Sequence, residues 1–338
     1  MKNVRASVIL ASYNGEKFIG KAIASVLGQT MRDFELIVVD DASKDSTPQI
    51  IRDFQKKDSR IRFIELKTNS GGPALPRTMA CKSATGDFIA FIDQDDLYFP
   101  DYLEKKIDFF EAHPYLNYVT SYSWTFNPST RKIINYEHGG PVGMVLRRRI
   151  FDEIGYFDPD ASGSDEVDFW YRYVTHYGSS GIGDMPGGPH TLYSRHPDQG
   201  SSVENKDTLS IARRLTKMID HWDPFEIEKN HDVYVSVVYL YSRIGNLFCL
   251  AGDFKKGRDY FLKSLKLRTN LFSLLFWVSS FLGPRPYRGI EFFLRRLQRK
   301  IVWRVRAFIK SLQYSESRAV AKEILANYDN FAKIDDAI

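Results

Sequence analysis

Three carboxylates fall within four positions at the end of an apolar run: Phe88 to Asp96 reads FIAFIDQDD, with Asp93, Asp95 and Asp96 as its acids. An aromatic and β-branched run that breaks abruptly into charge is the pattern of a buried strand ending at a polar edge. Burying that much like charge without compensation costs several kcal/mol, so these carboxylates must face a cation, a cleft or water. One reading is a hard divalent ion held by one or two carboxylates plus the phosphates of a ligand. The other is a solvated acidic turn. Two more polar clusters end apolar runs in the same way, Tyr13-Asn14 after SVILA (Ser7 to Ala11) and Asp40-Asp41 after FELIVV (Phe34 to Val39).

The elements that must position these clusters alternate. After the first strand, Ile19, Ile23, Val26 and Leu27 recur at helical spacing between Glu16 and Gln29. After the second, Ser46 with Gln49 three positions on and Pro48 between them predicts a helix opened by a capping box and running to Lys57. Ile61 to Leu66 is the third strand, Gly71-Gly72-Pro73 a turn, and Pro76 to Ala84 a helix that leads into FIAFID. Strands separated by helices imply an α/β fold with a doubly wound, mostly parallel sheet flanked by helices. Ligands of such sheets sit at the carboxyl ends of the strands, where all three polar clusters fall. A wet-loop explanation accounts for one such cluster better than for three on one edge.

Composition narrows the class. With 43% hydrophobic and 26% charged residues in 338, the chain has the make-up of a folded globular protein of two domains, or of one with a large appendage. Cys81 and Cys249 are far apart and form neither a disulfide framework nor a zinc cluster, which points to the cytosol. The opening MKNVRASVILASYN lacks the apolar core of a signal peptide. The longest apolar run, Leu271 to Leu282, falls short of the ~18 residues of a membrane-spanning helix. The net charge of +5 is uneven: Pro284 to Leu312 carries nine basic residues against Glu291 alone, +8, so the rest of the chain carries −3.

The string SVILASYNGEKFIGKAIASVLGQTMRDFELIVVDDASKDST, followed by NSGGPALPRTMA and FIDQDD, resembles the nucleotide-sugar-binding half of the family 2, GT-A fold glycosyltransferases over roughly residues 5 to 200. The resemblance implies a nucleotide-diphospho-sugar donor, a divalent cation (Mg²⁺ or Mn²⁺), and direct displacement with inversion at the anomeric carbon. It implies that Tyr13 packs on the base and Asp41 reads its polar edge, with Ala11, Glu16 and Gln94 beside them in the donor site. Asp40 would bond ribose or brace the loop, and Asp45 would set the turn before the helix. Arg77 matches the arginine of the family's ARN motif, a diphosphate contact, although Thr78 stands where that motif has asparagine. Asp93 would bond ribose or metal-bound water, Asp95 the metal, and Asp96 would be a second ligand or a brace. Gly71 and Gly72 would allow close backbone approach. Arg195 and His196, in YSRHPDQGSS (Tyr193 to Ser202), fall in the loop that folds over the diphosphate and would touch phosphate or metal. Phosphatases of the haloacid-dehalogenase type also place a DxD after a strand, but after the first core strand; here it follows the fourth.

Inverting transfer to a hydroxyl needs a base for the acceptor's proton, and a partly desolvated carboxylate can serve. The family supplies it from a Glu-Asp pair before an aromatic helix. SDEVDFWYR (Ser164 to Arg172) matches with the order reversed, so Glu166 takes the base position and Asp165 is the runner-up. Asp168 is expected to brace Arg172. Helix Pro100 to Ala112 has Leu103, Ile107 and Phe110 as its stripe; strand regions follow at Tyr118 to Phe126 and Gly140 to Leu146, and Gly181 to Pro189 is a glycine- and proline-rich loop. Arg147 to Arg149 begin a short helix ending near Gly155, and either face an anionic acceptor or are merely solvated.

Beyond Val203 helical patterns take over. The expected domains are 1–202, catalytic; 203–283, helical, with one tetratricopeptide-like hairpin at Asn246 to Leu267 turning at Gly252-Asp253; and 284–338, a basic amphipathic tail. Ile290, Phe293, Leu294, Leu297, Ile301, Val305, Phe308 and Leu312 give that tail a stripe set among arginines, with Trp303 at mid-length. Such a helix either lies on an anionic membrane surface or docks on protein. No recognition motif accompanies the charge to argue for nucleic acid. The expectation is a cytoplasmic glycosyltransferase, free or peripheral at the inner face of the plasma membrane. It would extend a glycan or lipid-linked acceptor in bacterial surface polysaccharide synthesis from a UDP-sugar, less readily a dTDP- or GDP-sugar. The alternative is a catalytically silent nucleotide-sugar-binding or scaffold protein of the same fold.

Overall fold

The apolar runs at both ends of the first hundred residues pair into one sheet because each is buried on both faces and so needs neighbours on both sides. The fold comes from a computed structural model, which describes residues 4–138, 140–161, 165–196, 208–222, 231–267, 271–298, 315–326 and 328. The strands β1 (Ala6–Ser12), β2 (Phe34–Asp40), β3 (Ile61–Glu65) and β4 (Phe88–Asp93) run parallel, in the order β3-β2-β1-β4. Helices α1 (Ile19–Leu27), α2 (Thr47–Lys57) and α3 (Ala74–Ser83) make the crossovers, as expected from the alternation. Register fixes the functional edge: Ser12 lies opposite Asp40 and Ala11 opposite Asp93, so the residues just past all three strands share one rim.

Past β4 the sheet departs from a simple parallel order. A short β9 (Val145–Arg147) inserts antiparallel between β4 and β6 (Tyr118–Thr120), and β10 (Ile182–Asp184) closes the seven strands beside β6. The expected strand region Tyr118 to Phe126 is divided between two strands. At the fully buried Ser121 the chain leaves the large sheet for β7 (Tyr122–Asn127), which pairs with the hairpin strand β8 (Lys132–His138). Gly143 is required there, since a Cβ on it would lie 2.6 Å from the Ser121 carbonyl oxygen. The second sheet has the order β5-β11-β7-β8, with β5 (Leu97–Tyr98) antiparallel to β11 (Thr191–Ser194).

Two local expectations are corrected. Ser46 precedes α2 without capping it through its side chain, and Gln49 instead donates to Asp53. Asp45 accepts the Thr47 N–H at 3.0 Å and Glu16 the Ser46 N–H at 3.1 Å, so carboxylates from two loops do the capping. Arg147, Arg148 and Arg149 are not merely solvated. Arg147 donates to the Leu116 carbonyl and lies over the Phe88 and Phe110 rings, Arg148 donates to the Gly86 carbonyl, and Arg149 to the Asn117 side chain. They staple the end of β9 to its neighbours before α5 (Ile150–Ile154), which ends at Gly155 with φ 81°.

The chain divides into two compact units, one of residues 1–162, 180–196 and 310–338, the other of 163–179 and 197–309. The division differs from the domains read in the sequence: α6 (Asp165–Tyr177), with Asp165 and Glu166, groups with helical residues, and α12 (Ser315–Ala326) groups with the sheets. In the helical unit, α7 (Thr208–Asp220) precedes a hairpin of α8 (His231–Leu250) and α9 (Phe254–Leu267) that turns at Gly252, φ 93°. Gly245 and Gly257 let those helices cross closely; a Cβ on Gly257 would sit 2.2 Å from the Cys249 sulfur. The hairpin buries its apolar face with α10 (Leu271–Ser279) and α11 (Pro284–Gln298), where Phe261 stacks on Phe276 and Tyr287 donates to Asn246. Residues 299–314, the second half of the basic stripe, lie outside the described residues. Among the described residues no helix is long and apolar enough to cross a membrane, and both cysteines are buried and free.

The core of the first unit also buries a lysine. Lys106, on α4 (Tyr102–Ala112) beside the expected Leu103, Ile107 and Phe110, is fully buried and donates to the Gly143 carbonyl at 2.9 Å. Burial pushes its ammonium well below the usual lysine range, and the charge of Asp184 only partly opposes this. The unfolded chain therefore holds that proton more tightly than the native one, and native stability gains as pH rises through the interval between the two values. Melting temperatures of wild type and Lys106→Met, taken in parallel from pH 7 to 10, should converge or cross in favour of the wild type; a pH-independent gap between them would refute a neutralised Lys106.

Candidate active site

At the rim, β1 and β4 are joined through one side chain. Gln94 accepts the Tyr13 N–H at 2.9 Å and donates to the Tyr13 carbonyl at 3.1 Å. Gly15 makes room for it: a Cβ there would lie 2.4 Å from the Gln94 Oε1. The pairing leaves the Tyr13 ring 43% exposed, an aromatic face open at a strand end. Asn14, in a left-handed conformation with φ 48°, receives Lys44 N–H on its side chain and donates its own N–H to Ser43. Glu16 and Asp45 complete this tie between the two loops, and Ala11 sits half-buried at the end of β1 beside Asp93.

The Asp40-Asp41 pair divides its work. Asp40 is fully buried and accepts from the Ser12 hydroxyl and from the N–H and hydroxyl of Ser43, which makes it the brace of the loop. Asp41 accepts from the Asn69 amide, the Ser70 N–H and the Ser70 hydroxyl. Two of those donors reach Oδ2 and one reaches Oδ1, so a carboxylate with about four lone-pair sites keeps one acceptor position on Oδ1. Asn69 and Ser70 escaped the sequence reading, although they immediately precede the Gly71-Gly72 turn that it singled out. Of these, Gly71 has φ 85°, a conformation suited to glycine.

The acidic cluster is compensated residue by residue. The buried Arg77 guanidinium donates to Asp93 Oδ1 at 2.8 Å, while Thr78, the departure from the family motif, donates its hydroxyl to the Phe157 carbonyl. Asp95 Oδ2 meets His196 Nε2 at 2.8 Å, and the Phe18 ring lies over that imidazole at 4.4 Å. Asp96 is fully buried and accepts the Ser194 N–H at 2.8 Å, which fits the bracing alternative; its other oxygen has no partner among the described residues. Burial pushes the Asp95 carboxyl up, with His196 pulling back and the charge of Asp93 adding to the rise. Burial, then Asp95 and Asp93, drive Asp96 higher still. Arg195 is exposed, with its guanidinium over the Tyr193 ring at 4.7 Å.

Among the described residues, no group of three or more His, Cys, Asp or Glu side chains has the geometry of a metal site. The donor set that does converge is one carboxylate and one imidazole, Asp95 and His196, with His196 Nδ1 lacking a partner among the described residues. Two protein ligands suit an ion completed by phosphate oxygens and water. In the helical unit, Asp165 is buried and Glu166 half-buried at the start of α6, while Asp168 pairs with Arg172 at 2.9 Å. Tyr171 on the same helix stacks flat on Trp222.

These features coincide with known proteins. The model of glycosyl transferase family 2 matches residues 7–167. The poly(ribitol-phosphate) β-N-acetylglucosaminyltransferase TarS of Staphylococcus aureus is 38% identical over 112 residues, 32% of this chain and 19% of that protein. The putative teichuronic acid biosynthesis glycosyltransferase TuaG of Bacillus subtilis is 39% identical over 117 residues, 35% of this chain and 46% of TuaG. The matches span a fifth or less of the first curated relatives. In structure, TarS 1–349 in complex with UDP-GlcNAc superposes with a TM-score of 0.63 at 19% identity, covering 86% of this chain and 92% of that one. The mannosyltransferase PcManGT of Pyrobaculum calidifontis, in complex with GDP-Man and Mn²⁺, gives 0.52 at 17%, covering 84% and 82%. These likenesses show the fold, the GT-A arrangement of a mostly parallel central sheet with a helical C-terminal region. Residues 7–167 are a family 2 glycosyltransferase domain.

Proposed function

We propose that the protein is an inverting glycosyltransferase that moves a sugar from a UDP-linked donor to a hydroxyl of a glycan or lipid-linked acceptor in bacterial surface polysaccharide synthesis. The observation that carries this reading is the set of groups gathered on one rim: the open Tyr13 ring, the one unfilled acceptor position of Asp41, the buried Arg77 and the Asp95–His196 pair. UDP is favoured because a pyrimidine can stack on Tyr13 while its ring N–H donates to Asp41, and because TarS, which shares the fold, is seen with UDP-GlcNAc. TarS and TuaG, named for poly(ribitol-phosphate) and teichuronic acid, support a surface polymer as acceptor.

A divalent cation bound by Asp95 and His196 would neutralise charge developing on the departing diphosphate, and the mixed oxygen and imidazole set favours Mn²⁺ over Mg²⁺. Arg77 presents a guanidinium fork suited to phosphate oxygens once its hold on Asp93 is shared. Asp93 is then free to turn to the ribose. Glu166 accepts the proton of the acceptor hydroxyl as that oxygen bonds to the anomeric carbon and the diphosphate leaves from the opposite face.

Turnover of UDP-GlcNAc with Mn²⁺, with a ribitol-phosphate oligomer as acceptor, tests these roles. Glu166→Gln should lower kcat by roughly 10²–10⁴-fold, the usual span of a general base, and Asp165→Asn should do far less. The reverse ranking would move the base to Asp165, wild-type turnover in both would remove the pair from that role, and no turnover in the unaltered protein would leave a silent fold. His196→Ala should raise the Mn²⁺ concentration needed for half-maximal rate; an unchanged requirement would remove His196 from the metal. Independently, Gly15→Ala forces Gln94 off Tyr13, and losing those bonds should weaken UDP binding by roughly 3- to 10-fold in titration calorimetry. Unchanged affinity would show that the Tyr13–Gln94 tie does not position the ring.

A further inference from the structure

Helix α10 and the turn after it are built inside out. Among the described side chains, those buried against α8 and α9 include the serines Ser273, Ser279 and Ser280 beside Phe276, with Trp277 half-buried on the same cluster. Ser273 shares a hydrogen bond with Ser264, and Ser264 donates to the Val238 carbonyl. The outward face holds Leu274, Leu275, Val278, Phe281 and Leu282, exposed by 37 to 60%. A helix facing water places these residue types the other way round. Five large apolar side chains within nine residues form a contiguous patch, and such patches mark a contact with something other than water.

The surrounding charge selects the occupant. Residues 251–290 carry eight basic side chains against two acidic ones, Asp253 and Asp259, and from Tyr260 to Ile290 there is no acid at all. Arg258 lies over the Phe281 ring at 4.7 Å and donates to the Ser280 carbonyl, holding a cation at the edge of the patch, and Arg288 is exposed on α11 just beyond it. A second copy of this chain would bring a like-charged rim against this one, which opposes self-association. A surface that is negative at its headgroups and apolar beneath matches both features.

We infer that the outward face of residues 274–282 is a membrane-contact surface that inserts into the interface of an anionic lipid bilayer, with Arg258 and Arg288 meeting the headgroups. This surface is separate from the 284–312 stripe read in the sequence, and it does not depend on donor chemistry. Full-length protein floated with vesicles of phosphatidylcholine and phosphatidylglycerol at 70:30 should bind, and with phosphatidylcholine alone should bind at least ten-fold less. Val278→Gln/Phe281→Gln, which changes only outward-facing side chains, should lose most of the binding while circular dichroism and melting stay as in the wild type. Arg288→Gln should weaken binding more at low than at high salt. Wild-type protein that fails to float, or a double variant that floats as well as wild type, would overturn the inference. So would a dimer in light scattering that the double variant abolishes, because the patch would then cover itself. UDP-sugar turnover on a soluble acceptor, measured on the same samples, should be unaffected, so a failure of the glycosyltransferase reading would show there and not in the flotation.

Discussion

Like charge at the end of β4 is the constraint around which the first unit is arranged. Asp93, Asp95 and Asp96 leave a strand whose preceding residues are buried, and each acquires a different partner: Arg77, His196 and the Ser194 N–H. Two of those partners come from the end of β11, far downstream in the chain. They arrive through the shortest strand among the described residues. Leu97 and Tyr98 follow the acids directly and pair antiparallel with Leu192 and Thr191, and just beyond that pairing Asp96 meets the Ser194 N–H and Asp95 meets His196. The second sheet thus delivers counter-groups to the edge of the first, and β5 is short because delivery is all it does.

The neighbouring rim is rigid for a related reason. Asp40 and Asp41 are buried carboxylates that would be costly if unpartnered, and serines and an asparagine of nearby segments supply three donors to each. Closing those loops puts two non-glycine residues in left-handed conformations, Asn14 and the nearly buried Ala42 with φ 59°. For a residue with a Cβ that conformation costs roughly 1–2 kcal/mol, and such strain persists where surrounding bonds over-determine it. A rim held this firmly has little freedom left to lose when a ligand binds, so contacts made there convert into affinity with a smaller entropic loss.

How much of this was legible follows from the range of each interaction. The parallel strands, their crossovers and the placing of polar residues at carboxyl ends were readable, because period-two and period-3.6 patterns are local and β1, β2 and β4 carry them without interruption. The split of Tyr118 to Phe126 between two sheets was not, since a buried serine at the break resembles any small strand residue. The Ser46–Gln49 pattern predicted a cap that Asp45 and Glu16 supply, the second from another loop, where no sequence spacing could reveal it. The three arginines of 147–149 looked solvated or functional because their acceptors are backbone carbonyls and an amide, which leave no mark in a charge pattern. At the site itself the residue types were legible and the partners were not: pairing Asp95 with His196 is a property of strand register, not of either residue's neighbours in the chain.

Helix α10 shows the same limit from the other side. LFSLLFWVSSFL is apolar enough that periodicity alone assigns it to a core, and hydrophobicity does not say which stripe faces inward. Packing decides, and it turns on small residues. Ser273 can bury because Ser264 offers a hydroxyl across the interface and a carbonyl of α8 takes that hydroxyl's proton. Ser279 and Ser280 close on carbonyls of their own helix. With polar side chains satisfied inside, close approach of α10 to α9 is favourable through packing of Phe276 on Phe261, with Trp277 against the same cluster, and Leu274, Leu275, Val278, Phe281 and Leu282 are left outside. Had burial of apolar area been the only term, the helix would rotate to put Leu274, Val278 and Phe281 inward, gaining roughly 1.5–3 kcal/mol for each side chain fully buried. That the fold forgoes this gain implies that the rotated helix would strand its serines, and that the outward face is matched to a surrounding less polar than water.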